Sequence, residues 1–192
     1  MSKMDNDHML IEEAEQLFEA GDVDRLKQIL APLVEKNIPA AIRLNASFYS
    51  AGTPAEECDL LFVEGMFRAA ELGDQKAKYQ VGMFYDLGLY GIPQDKVLAS
   101  QIFKELAQDG HPHCMWIYAT ELIWGKGSFP IATENGLRLL CSAAEAGSAE
   151  ACMTIADFHD QGKFGFEKNI KLRDEYRKWA VQFDETVYDP YN

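Results

Sequence analysis

The sequence predicts an all-α protein built as an array of antiparallel helix pairs, and three observations carry that expectation. Gly52, Gly88, Gly125 and Gly162 recur at intervals of 36, 37 and 37 residues. Asn37, Gly73, Gly110 and Gly147 recur at the same intervals, so two interleaved series of stops share one period, the signature of a repeat architecture. Asn37 belongs among the glycines because asparagine tolerates the left-handed backbone that ends a helix. Between the stops, apolar residues recur three and four positions apart and the segments open on helix-start residues.

Taken in order, the chain opens on a leading pair over 8–36, with helices at 8–20 and 23–36 joined at Gly21-Asp22. Pro32 is expected to kink or divide the second of these, since proline removes a hydrogen bond and clashes with the preceding turn. Four repeats follow at 39–73, 75–110, 112–147 and 149–183. Their helices are predicted at 39–51 with 54–72, 75–87 with 96–109, 112–124 with 134–146, and 149–161 with 170–183. Thr53-Pro54-Ala55-Glu56 reads as a capping box with proline at the first helical position. Asp74, Asp95, Thr133, Ser148 and Asn169 stand where other helices begin, each with an oxygen that can accept from a free amide. Pro39 and Pro112 suit first-turn positions. The whole of 1–183 is read as one domain, with 184–192 as a tail lacking helical period.

The first helix of every repeat holds one pattern of side-chain sizes. Ala41, Ala77, Cys114 and Ala151 form a small column, and Ala46, Gly82, Ala119 and Ala156 form a second five residues on. Tyr49, Tyr85, Leu122 and His159 follow, then the glycine. Small residues at this spacing let helix backbones approach while a large neighbour fills the groove beside them.

Composition bounds the function. The 192 residues, 47% apolar and 26% charged, belong to a folded chain. Eighteen basic residues against 31 acidic ones give a net charge of −13, which disfavours nucleic acid and anionic lipid as partners. No apolar run approaches the ~20 residues of a membrane span, and MSKMDNDHML has no secretory pattern, so a cytoplasmic location is expected. Cys58, Cys114, Cys141 and Cys152 lie within apolar helical patterns and form no Cys-x-x-Cys pair, which reads as buried thiols.

The compound pattern Ala77-x-x-x-Val81-Gly82-x-x-Tyr85-x-x-Gly88, followed by Asp95, Ala99, Ala107 and Gly110, resembles a Sel-one-like repeat, a relative of the tetratricopeptide repeats. The similarity covers about residues 39–183. It implies a right-handed α/α solenoid of about four repeats plus the leading pair, used in that family mainly to hold other proteins. Three residues depart from the pattern: Asn45 for an aliphatic, His159 for an aromatic, and Arg173 for a small residue. A charged Arg173 is expected where the last helix meets no further repeat. Cysteine-rich members of the family are linked with β-lactam binding, but Ala144 stands where Cys152 would need its partner, so that activity does not carry over.

Local chemistry is sparse. His111, His113 and Cys114 are close in sequence, with His159 one repeat later, yet Cys114 sits in the small inward column and the group is expected to point in different directions. No metal or cofactor is assigned. Gly125-Lys126-Gly127-Ser128 lacks the spacing of a phosphate loop, and no nucleophile motif is present.

By analogy with tetratricopeptide geometry, a partner is expected along the face formed by successive first helices. The residues selected are Tyr79, Met83 and Asp86 in the second repeat, Trp116, Thr120 and Trp124 in the third, and Met153, Asp157 and Asp160 in the fourth. Aromatic and thioether side chains are suited to interface hot spots, and the carboxylates point to a protein or peptide with some basic character. The leading expectation is thus a non-catalytic interaction module, with a toxin-neutralising (immunity) or regulatory adaptor role as the narrower form. The alternative is a hydrolase using His113 or His159 with a cysteine. Acid concentrated near the start and base in the final repeat also make a homo-oligomer through unequal ends conceivable.

Overall fold

A computed structural model describes residues 3–49, 52–125 and 127–184. Among them are ten helices and no strand: α1 Lys3–Ala20, α2 Val23–Glu35, α3 Pro39–Ala46, α4 Ala55–Glu71, α5 Gln75–Leu87, α6 Lys96–Gln108, α7 Pro112–Trp124, α8 Thr133–Glu145, α9 Ala149–Gln161 and α10 Ile170–Phe183. Two compact units divide the chain, Met1–Asp95 and Lys96–Asn192. In the first, each helix packs on its sequence neighbour and α1 also meets α3; in the second the neighbours again pack, and α7 meets α9.

The predicted stops follow helices as expected, except Gly52, which lies beyond the end of α3 at Ala46. Asn37 takes φ 58°, and all seven glycines of the two series have positive φ. After four helices the same backbone bond closes the turn, from Ile38, Asp74, His111 and Ser148 to carbonyls five residues back, which satisfies carbonyls that the helix end leaves open. A second bond recurs at the return of each longer loop. Asp95, Ala132 and Asn169 donate to the carbonyls of Tyr85, Leu122 and His159, at 2.8, 2.9 and 2.9 Å.

Caps follow the sequence at three starts, where Asp74, Ser148 and Asn169 accept from the amides of Ala77, Ala151 and Leu172. Asp95 directly precedes α6, and at two other starts the expectation is corrected. Helix α4 begins one residue late, with Pro54 at the N-cap and no side-chain cap bond, so the capping box does not form. Thr133 is the first helical residue of α8 rather than its cap, because Ala132 is held at the N-cap position by the Leu122 carbonyl. Helix α3 stops at Ala46 instead of 51; the Ser47 hydroxyl donates back to the Arg43 carbonyl at 2.9 Å, a local bond that competes with helix propagation. Pro32 leaves α2 undivided. It lies on the exposed side, where water can take the carbonyl that proline cannot serve.

The first unit's core joins Ala14, Leu17, Leu26, Leu30, Leu33, Ala41 and Leu44. Phe62, Phe84 and Tyr90 close its other side with ring centroids 5.2 to 5.6 Å apart. Arg43 binds Asp74 and Glu15, and Glu15 also takes Lys76 at 2.8 Å, tying α1, α3 and α5. The Lys76 hydrogen bond, aided by Arg43 and opposed by burial, lowers the Glu15 pKa. In the second unit Phe103, Leu106, Cys114, Ala119, Leu140, Cys152, Ile155 and Ala180 are buried. The small columns act as expected where helices touch most closely. A Cβ on Gly65 would lie 2.3 Å from that of Ala46, and one on Gly136 would lie 2.9 Å from the Ala119 carbonyl oxygen.

Candidate functional site

In the second unit α7 and α9 run side by side and share a polar and aromatic face. At its beginning, His113 Nδ1 stands 2.6 Å from Glu150 Oε1, and the Ser148 hydroxyl donates to the other oxygen at 3.0 Å. The hydrogen bond from His113, opposed by burial and helped by a backbone amide, holds the Glu150 carboxyl down at about 2. One turn on, the Trp116 indole N–H donates to Thr154 Oγ1 at 2.9 Å, and that hydroxyl donates to the Glu150 carbonyl at 2.7 Å. The His113 and Trp116 rings are 5.3 Å apart. Trp116 is therefore fixed in orientation while half-buried.

At the far end a groove of about 400 Å³ opens among Trp124, Thr154, Asp157, Phe158, Gln161, Lys163 and Phe164. Phe158 forms its buried floor, 5.9 Å from Trp124 and 4.8 Å from Phe164. Trp124 and Phe164 meet edge to face at 6.1 Å and 82°, and remain 39% and 37% exposed. Aromatic walls with a carboxylate and an ammonium at the rim can take an apolar side chain while its polar backbone meets the charged edge.

Of the residues selected from sequence, Trp116, Trp124 and Asp157 lie along this face. Thr120, half-buried, turns its hydroxyl onto the Ile117 carbonyl of its own helix, and Met153 is half-buried. Asp160 turns from the face to α10, where Arg173 binds it at 3.0 Å. Asp157 keeps 55% of its side chain exposed with the buried Arg177 at 3.9 Å. Tyr79, Met83 and Asp86 lie half-buried on α5, in the first unit. Sequence reasoning missed Phe158, Phe164, Thr154 and Lys163. A signal existed for the aromatic pair: Phe158 and Phe164 stand 74 residues, two repeats, after Phe84 and Tyr90, whose rings also touch. Tyr90 and Phe164 share a left-handed φ of 53°.

The histidines hold separate partners. His111 caps α7, its Nδ1 accepting from the Cys114 amide, and burial followed by the nearby His113 lowers its pKa. Buried His159 places Nδ1 3.0 Å from the Glu167 carbonyl oxygen and stacks on Tyr176. All four thiols are free; Cys58 and Cys141 are half-buried. Burial pushes Cys114 up to about 12 and Cys152 up to about 11, so both are protonated at neutral pH and poor nucleophiles. No group of three metal-ligating side chains occurs among the described residues.

The chain folds like two solved proteins. The crystal structure of a Sel1 repeat protein from Oxalobacter formigenes matches with a TM-score of 0.69 at 20% identity, over 91% of this chain and 70% of that one. c5321, a protective antigen of uropathogenic Escherichia coli strains displaying an SLR fold, matches with a TM-score of 0.61 at 18% identity, over 83% of this chain. The chain spans about a third, 34%, of the length of c5321. No protein-family model matches the sequence, and no curated protein matches it significantly. The fold is thus the paired-helix repeat fold of Sel1 proteins. Among the described residues, no helix is long and apolar enough to cross a membrane.

Proposed function

We propose that the chain is a non-catalytic interaction module that holds a protein or peptide partner on the α7/α9 face, with Trp116, Trp124 and Asp157 as its principal contacts. The observation that carries this reading is the groove walled by Trp124 and Phe164, two partly exposed aromatic rings held in fixed edge-to-face geometry by the buried Phe158. Rigid aromatics in a concave site are the usual energetic anchors of protein recognition. The partner presents an apolar side chain to this groove, and basic groups elsewhere on it are steered by the net charge of −13. Thr120 and Met153, on the same two helices, take part as its surround, and Tyr79, Met83 and Asp86 on α5 of the first unit are proposed as partner contacts by themselves. A toxin-neutralising or regulatory adaptor role in the cytoplasm is the narrower form of the same proposal.

The hydrolase alternative is disfavoured by the two buried, protonated thiols and by His159's commitment to the Glu167 carbonyl. Peptide-display selection against the wild-type protein, with binding then measured to Trp124→Ala and Asp157→Lys, tests the proposal. Peptides selected by the wild type should lose at least tenfold in affinity to either folded variant. Equal binding to both variants removes the α7/α9 assignment.

A further inference from the structure

Helix α3 has 8 residues where α5, α7 and α9, the first helices of the later repeats, have 13 each. The shortfall is about 7.5 Å of helix, and beside the early end the first unit carries a groove of about 450 Å³. Lys27 lines it from α2, Asn45 from α3 and Glu57, Leu61 and Glu64 from α4, with Phe48 from the stretch that follows α3. Two later repeats show what such a place takes. Phe84 and Phe158 hold one position of the repeat, and each is buried with an aromatic ring of the following loop against it, Tyr90 at 5.2 Å and Phe164 at 4.8 Å. In the third repeat Glu121 stands at this position and takes the Ser100 hydroxyl instead. Phe48 holds the same position, 36 residues before Phe84, and is only half-buried. Among the described residues no second ring meets it, and the exposed Lys27 ammonium stands 5.7 Å from its centroid.

We propose that this groove docks a segment of a partner protein in which an aromatic side chain is flanked by basic ones. The ring seats against Phe48 and Leu61, taking the place that Tyr90 and Phe164 fill in their own repeats. Charge complementarity selects its neighbours. Of the groove's cations, Arg68 donates to Asn37 and Lys27 stands over Phe48. Exposed Glu57 and Glu64 have no hydrogen-bond or ion-pair partner among the described residues, so the uncommitted charge is negative. Glu57, Leu61 and Glu64, spaced four and three apart, share one side of α4, which sets an apolar contact between two carboxylates. Leu61 is 47% exposed, and a ring laid on it removes that surface from water. Asn45, which departs from the aliphatic of the repeat pattern, suits a helix side that opens on a polar groove rather than on a packed loop. The site shares no residue with the α7/α9 face and stands independently of the reading given for that face.

The probe is a synthetic peptide with one phenylalanine between two lysines, capped at both ends and titrated into the isotope-labelled full chain under nuclear magnetic resonance. Binding should saturate and move the amide signals of Phe48, Leu61 and Glu64. It should weaken roughly tenfold when alanine replaces the peptide's phenylalanine. Glu57→Gln/Glu64→Gln, which removes two partly exposed ion pairs, should weaken it roughly fivefold. Leu61→Ala, at another exposed position, should weaken it as well. Trp124→Ala should bind the peptide as the wild type does, which separates this outcome from that of the α7/α9 face. Lack of saturable binding in the millimolar range overturns the proposal, as do signal changes confined to α7 and α9. Equal binding of a peptide with glutamates in place of the lysines overturns it too. Self-association of the chain in sedimentation that Glu57→Gln/Glu64→Gln abolishes would assign the groove to a second copy, against the proposal.

Discussion

Arg173 and Asp160 form a 3.0 Å ion pair at the two positions where Gly136 and Ile123 meet one repeat earlier. A glycine under an aliphatic side chain has been replaced by a cation under an anion, with both changes in the same repeat. Arg173 therefore faces α9, and the expectation that its charge marks an outer face is corrected. The pairing makes the two positions interdependent. Asp160→Ile and Arg173→Ala should each destabilise the fold in urea titrations, whereas the double variant, which restores the small-plus-aliphatic arrangement, should be more stable than either. Additive losses contradict this account.

Gly136→Ala tests how closely α7 and α8 approach. The added Cβ would stand 2.8 Å from Ile123 Cγ1, 2.9 Å from the Ala119 carbonyl oxygen and 3.0 Å from Leu122 Cβ. Backbone cannot yield there as a side-chain tip can, so the overpacking penalty of about 1–3 kcal/mol outweighs the gain of about 1 kcal/mol in helix propensity. A fall in the urea midpoint with unchanged slope is the expected result.

The depressed Glu150 pKa predicts an acid-side effect of definite sign. Its ordinary value is 4.5 and its folded value about 2, so the contribution to stability is complete above pH 4.5 and fades as pH falls toward 2. Glu150→Gln should cost about 0.5–1 kcal/mol at pH 6, the range of a partly exposed ion pair. The gap between thermal melts of the two proteins should shrink steadily below pH 4.5 and close only below about pH 2. A gap that widens on acidification would show that the pairing with His113 is misread.

Thiol titration separates the cysteines by burial. Ellman's reagent at pH 8 should modify the half-buried Cys58 readily and Cys141, whose pKa burial and then Glu145 raise, more slowly. Cys114 and Cys152 should react only once urea unfolds the chain, because neither offers thiolate or access. Four fast thiols in the native protein would be incompatible with the packing.

Those parts of the fold that rest on one residue's own conformational demands were readable in the sequence. The stops were visible because few residues tolerate left-handed backbone, and Asp74, Ser148 and Asn169 declared their helices through their own oxygens. What depended on two elements meeting was not. Asp160 reads as part of the partner-facing surface until α10 brings Arg173 beside it, and Phe164 reads as loop until Phe158 lies beneath it. The early end of α3 turned on the Ser47 hydroxyl choosing the Arg43 carbonyl, a choice that helical periodicity does not register.

The backbone bonds from Asp95, Ala132 and Asn169 to the carbonyls of Tyr85, Leu122 and His159 pin each connecting stretch at its far end, while Gly88, Gly125 and Gly162 turn it at the near end. Main-chain atoms make both attachments, so the six residues between them work as an interchangeable cassette. Lys163 and Phe164 belong to one such cassette, and exchanging it for another would re-tailor the groove's rim while its helical frame stayed in place. Selection can thus vary the chemistry of this rim while leaving the helices beneath it untouched.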